Sequence, residues 1–192
     1  MDTYFDLGGY SFPVTTQSTE AQTWFDRGIL WTYGYNHEEA VTCFERAIDA
    51  DPKCAMAHWG AGYASGPNYN MPWDLFDDAG RAAAARAGYA HARKALDLID
   101  GATEWEAALI QALPARHPQP DPLDPEAMKA WNGNFADAMR DVFAAHPESH
   151  EVRTVFAESL LNLTPWKMWD LRIGKPAASA RTVEAQTLSL IH

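Results

Sequence analysis

The sequence predicts an all-α protein built from helix-turn-helix pairs, with two loops inserted between helices. Three observations predict it. Residues 21–54, AQTWFDRGILWTYGYNHEEAVTCFERAIDADPKC, read as two helices around the turn Tyr33-Gly34-Tyr35. Capping spacings recur at Thr19–Gln22, Asn36–Glu39 and Thr103–Glu106, and helix-stopping prolines follow at Pro52, Pro114 and Pro147. Apolar residues elsewhere, as over 75–99 and 126–145, fall at helical spacing.

Small Gly28 and Ala40 let the first two helices approach closely, and Trp24, Trp31 and Phe44 fill the space around that contact. Cys43 falls inside the second helix as a small core residue. Ala55 to Ala64 reads as a third helix, with Gly62 as its small residue. Then Gly66–Trp73, GPNYNMPW, breaks the pattern as a loop held by two prolines. A helix resumes near Leu75 and runs to about Ile99, its packed face assigned to Leu75, Phe76, Ala79, Ala83, Arg86, Ala87, Ala90 and Ala95. Another spans Thr103 to Leu113. Residues 114–125 are a proline-rich linker, expected to be stiff and extended. Glu126 to Ala145 is the next helix, with Trp131, Phe135, Met139, Val142 and Phe143 as its buried stripe. Ser149 to Leu161 follows, with Ala157 and Leu160 inward. Asn162–Pro176 is too long for an ordinary inter-helix turn. Thr182 opens a last helix with Ala185 and Leu188 inward. Residues 1–18 form an irregular arm. Gly8-Gly9 and Pro13 interrupt it, and Tyr4, Phe5, Tyr10 and Phe12 are its candidate anchors.

The 21–54 unit resembles a tetratricopeptide (TPR) repeat, whose pattern is W-x2-L-G-x2-Y, then A-x3-F, then P. Trp24, Gly28, Trp31, Ala40, Phe44 and Pro52 stand at those places, and Arg27 departs from the pattern where it has Leu. The run NHEEAVTCFERAIDADPKCAMAHWGAGYASGPNYN, with NLTPWKMWDLRIGKP at 162–176, is similar to a group of larger bacterial and fungal TPR-domain proteins. The resemblance spans roughly residues 20–188. It implies about three degenerate TPR-like pairs over residues 19–192, in a right-handed arc, and no particular reaction. Members of that group continue into further repeats with a His-rich segment. This chain is therefore expected to be a shortened relative, a fragment or an altered gene model, and TLSLIH is a poor final cap.

Net charge is −11. That argues against a nucleic-acid footprint, which needs a basic face, and against docking on an anionic membrane. MDTYFDLGGYSFPVTTQ lacks the basic run and apolar core of a signal peptide, and the two cysteines do not make a disulfide framework. The expected setting is cytoplasmic. GxSxG, phosphate-loop and HExxH motifs are lacking, so neither catalytic residues nor a cofactor are assigned.

The two loops are the candidate site. One reading has them fold over the groove and present Asn68, Asn70, Trp73, Trp166 and Trp169 to a protein or peptide partner. The other has them pack on each other as a plug, with the Asn side chains closing turns. The alternative to a scaffold is a small-molecule or metal-dependent activity at His37, Cys54 and His58. Cys54 and His58 are four apart and would share a helix face. His91, His117, His146, His150 and His192 read as surface or helix-end residues.

Overall fold

A computed structural model describes residues 4–189, and these are mostly helical. The helices are α1 (Thr19–Tyr33), α2 (His37–Ala50), α3 (Ala55–Ser65), α4 (Asp78–Asp97), α5 (Glu104–Ala112), α6 (Pro125–Ala145), α7 (His150–Leu161) and α8 (Thr182–Ser189). Two-residue strands β1 (Trp169–Asp170) and β2 (Lys175–Pro176) pair antiparallel as a small hairpin between α7 and α8. Residues 190–192, the last half of the TLSLIH ending including His192, lie outside the described residues.

Local chemistry sets the helix ends. The Ser18 side chain accepts from the Ala21 N–H, so the first helix starts at Thr19, and the cap is one residue earlier than the spacing suggests. Asn36 caps α2 through the Glu39 N–H. Glu106 closes the capping box of α5, accepting the Thr103 N–H at 2.7 Å. Each satisfies backbone donors that a helix start leaves free, worth about 1 kcal/mol per cap.

The core begins at Phe44. A Cβ on Gly28 of α1 would meet its ring at 2.6 Å, and one on Gly60 of α3 would meet it at 2.4 Å. Two glycines therefore let α1 and α3 close on one aromatic ring of α2. Trp59, stacked on Tyr63 at 5.0 Å, carries this core to α5, where its indole N–H donates to the Leu109 carbonyl. Phe135, Met139, Val152, Phe156 and Leu160 extend it through α6 and α7, and Ala185 and Leu188 through α8. A second, smaller cluster holds Trp73, Ala84, Ala85, Met128 and Trp131.

The arm is tied down by hydrogen bonds rather than by aromatic area alone. Tyr4 donates to Glu39 Oε1 at 2.6 Å and accepts the Trp31 indole N–H at 2.6 Å. The Arg27 guanidinium lies 4.3 Å from both the Tyr4 and Trp24 ring centres. This gives the departure from Leu a physical reason, since a cation stacks where the arm crosses α1. Phe12 is buried, whereas Phe5 and Tyr10 stay exposed. Farther on, the Thr15 N–H and hydroxyl both donate to the fully buried Glu106 carboxylate at 2.6 Å.

Three expectations are corrected. The buried face of α4 is Ala84, Ala85, Gly88, Ala92 and Ala95, so only Ala95 of the assigned stripe is inside. An alanine-rich helix has too little polarity contrast to reveal its face. The linker is not uniformly extended either. It opens with a 3-10 turn at Leu113–Ala115, followed by Arg116 and His117, which are 1% and 0% exposed. His117 was expected at the surface, yet a Cβ on Gly88 of α4 would lie 2.3 Å from its ring. The imidazole is wedged against α4 where that helix has no side chain.

Candidate functional site: the two loops and the polar centre beneath them

The first loop leaves α3 at Ser65 and is closed by Asn68. Its Oδ1 accepts the N–H groups of Asn70 and Met71 at 2.9 and 3.0 Å, and Asn68 and Met71 also exchange backbone hydrogen bonds. Asn68 is buried and engaged in its own turn, while Asn70 is exposed at the tip. Trp73 is buried, edge-on to Trp131 at 6.0 Å and to His117 at 6.4 Å. It anchors the loop rather than facing outward. Arg116 adds a second anchor from beneath, donating to the Pro67 carbonyl.

The second loop leaves α7 at Asn162. Trp166 has φ +58, the left-handed region, which is costly for a bulky residue. It stands 56% exposed, and Trp169 on β1 is also exposed. Thr182 at the start of α8 fastens the hairpin base, its hydroxyl donating to the Met168 carbonyl at 2.5 Å.

The loops meet edge to face at Tyr69 and Trp166, 6.5 Å between ring centres. A cleft of about 280 Å³ lies on one side, lined among others by Trp73, Asp74, Lys129, Asn132, Asn162, Trp166 and Lys167. A groove of about 470 Å³ lies on the other, lined by Tyr69, Leu161, Met168, Trp169 and Ala185 among others. Of the five residues expected to bind, Trp73 and Trp166 line the cleft and Trp169 lines the groove. Asn68 and Asn70 line neither.

Beneath the loops lies a desolvated polar centre. The Arg116 guanidinium lies against the neighbouring rings of Tyr63 and Phe135, 4.8 and 5.2 Å from their centres, and burial lowers its pKa to about 9. His117 donates from Nε2 to the Gly62 carbonyl at 3.0 Å, and His37 from Nδ1 to the Ala64 carbonyl at 2.9 Å. A carbonyl can only accept, so each bond assigns the tautomer and leaves the other ring nitrogen as an acceptor. Burial, then the neighbouring Arg116 charge, pushes His117 down to about 3. Burial, opposed by the Ala64 hydrogen bond, pushes His37 down to about 4. Glu158 of α7 rises to about 7 by burial, against a lowering hydrogen bond from Asn162. The Asn132 carboxamide donates to the Asn162 carbonyl at 3.4 Å, joining α6 to the loop start.

The His37, Cys54 and His58 set is not assembled. Cys54 precedes the first residue of α3, whereas His37 bonds to Ala64 near its far end, about 15 Å away along the helix. His58 meets His91 instead, Nδ1 to Nδ1 at 3.3 Å, and burial lowers both. Burial raises the Cys54 thiol to about 11, away from the thiolate a metal needs. Among the described residues, no group of three or more His, Cys, Asp or Glu is placed to hold a metal ion.

Sequence reasoning missed Arg116, His117, Asn132 and Glu158. Two had a signal. Asn132 interrupts the Met128–Trp131–Phe135 stripe, and Glu158 stands three residues after buried Val155 and four before Asn162, on the inward face. Arg116 and His117 lie among prolines, where no period marks a face. Comparison with protein-family models, with curated proteins and with solved structures finds no match. Among the described residues, no helix is long and apolar enough to cross a membrane.

Proposed function

We propose that this chain is a TPR-type helical scaffold that binds an extended peptide segment in the cleft between its two loops. The observation that carries the reading is the convergence of both loops on one face, with Trp166 standing exposed beside a cleft of about 280 Å³ whose lining includes Asp74, Lys129 and Lys167. An extended backbone offers alternating N–H and C=O groups, for which the Asp74 carboxylate is an acceptor and the Lys129 and Lys167 ammonium groups are donors. A rigid indole wall adds contact area at low entropic cost. The left-handed backbone at Trp166 supports the reading, because strain of this kind persists where the surroundings impose it and collects at functional positions. The packing of α1, α2 and α3 around Phe44 supports the repeat architecture. The contact residues are then Trp166, Lys167, Lys129 and Asp74, with Trp169 and Asn70 at the margins and Asn132 and Asn162 bracing the cleft floor from within. Asn68 and Trp73 hold the loop in shape.

The test is selection from a random displayed-peptide library on the wild-type chain, followed by affinity measurement on Trp166→Gly. Glycine accepts the left-handed backbone, so this variant removes the ring and leaves the loop. The expected result is an enriched peptide family whose affinity falls about tenfold or more in the variant, a loss of about 1.4 kcal/mol. Failure to enrich any family, or equal binding by the variant, overturns the reading.

A further inference from the structure

Leu171 at the hairpin turn is 91% exposed and Ile173 is 64% exposed, beside exposed Trp166 and Trp169. Isolated exposed apolar residues are ordinary, but a cluster on one projecting element marks a contact surface. The hairpin segment also differs in charge from the rest of the chain. Residues 162–181 hold Lys167, Arg172, Lys175 and Arg181 against Asp170 alone, a net +3, in a chain whose net charge is −11, which leaves −14 elsewhere. The neighbouring loop has the opposite character. Residues 71–78 hold Asp74, Asp77 and Asp78 with exposed Met71 and Leu75, and no Lys or Arg. The two segments adjoin, since Asp74 and Lys167 line the same cleft.

We infer that this face is a self-complementary docking surface for a second copy of the chain. A two-fold pair sets the basic, apolar hairpin of one copy against the acidic, apolar 71–78 segment of its partner, and the reverse contact forms at the same time. Such an isologous arrangement needs both halves of the complement on one patch, and here they lie side by side. Opposite charges at the margins would align the copies and quicken encounter, while Leu171, Ile173, Met71 and Leu75 would supply buried apolar area. The apolar groove lined by Leu161, Met168 and Ala185 lies beside the hairpin base, within reach of a partner's turn. An anionic membrane would also attract a basic apolar hairpin. The acidic 71–78 segment on the same face opposes that occupant and favours a second copy. The inference goes beyond the peptide-binding reading, and because the cleft lies between the two halves, peptide and second copy would compete for it.

The test is sedimentation or light scattering without peptide, from roughly 1 to 200 µM chain, at low and high salt. Wild type is expected to form a dimer that weakens as salt rises. Lys175→Glu and Asp74→Lys, both at exposed positions, are each expected to weaken it about tenfold or more and to leave unchanged the thermal melt of chain dilute enough to be monomeric. Mixing the two variants restores a dimer, because each reversed charge then faces the other. A monomer throughout the series overturns the inference, as does a dimer that neither variant weakens or a mixture that fails to recover. Flotation with phosphatidylserine vesicles is the companion measurement. A chain that stays monomeric and binds the vesicles overturns it in favour of a lipid surface. The peptide selection keeps its own readout and is run on chain dilute enough to be monomeric, so failure of one reading is distinguishable from failure of the other.

Discussion

His117 makes a quantitative prediction. The unfolded imidazole titrates near 6.5 and the folded one near 3. Between those values the unfolded chain binds a proton that the folded chain refuses, so stability falls as pH drops from about 6.5 toward 3. At pH 5 the cost from His117 alone is about 2 kcal/mol by linkage. His37 and His58, both near 4, add about 2 kcal/mol each if they act independently. Glu158 acts in the opposite sense. Its raised pKa, near 7, favours the fold below about 4.5 and loses that advantage as pH rises through 7, so going from pH 7 to pH 5 returns about 2 kcal/mol. The net expectation is a loss of about 4 kcal/mol between pH 7 and pH 5, read from urea unfolding followed by tryptophan fluorescence with an unchanged m-value. His117→Gln isolates the group, since its amide can donate to the Gly62 carbonyl but does not titrate in this range. Its loss over the same interval should be smaller by about 2 kcal/mol. Parallel stability curves for the two proteins would refute the assignment of a buried neutral imidazole.

Three further outcomes follow from named contacts. Gly88→Ala places a methyl group 2.3 Å from the His117 ring, and should destabilise by about 1–3 kcal/mol in the same assay. His117→Ala should relieve most of the added cost in the double variant. Glu158→Gln removes an ionisation that the fold resists, so stability above pH 7 should rise by up to about 3 kcal/mol, and the loss between pH 7 and pH 5 should grow by about 2 kcal/mol because the opposing contribution is gone. A variant that keeps the wild-type slope would contradict it. Glu106→Leu strips the acceptor from the Thr15 and Thr103 N–H groups, and should speed amide exchange at both while costing about 1–3 kcal/mol. Unchanged exchange at Thr15 would show that the arm is held by other contacts.

The elements legible beforehand were those carrying their own local chemistry. Asn36 caps α2 and Glu106 closes the box of α5 because a short side chain can reach a backbone N–H only a few residues away. Trp131, Phe135, Met139 and Val142 show the α6 stripe because apolar and polar residues contrast along it. The turn-closing role of Asn68 was legible as one of two readings, and the 2.9 Å bond to Asn70 settles its place in the turn. The buried side of α4 was hidden for the converse reason, since alanine gives no contrast.

By itself the sequence determined an all-α chain, the approximate spans of its helices, the position of the irregular arm and the existence of two long loops. Tertiary structure decided that Arg116 and His117 lie buried beneath the first loop, that Trp73 turns inward while Trp166 stays out, and that His37 and Cys54 stand at opposite ends of α3. The physical reason is separation along the chain. His117 finds its carbonyl acceptor 55 residues away at Gly62, and Arg116 finds its own 49 residues away at Pro67. Caps and periodicity encode neighbours within a few turns, whereas partners at that range meet only once the helices have packed.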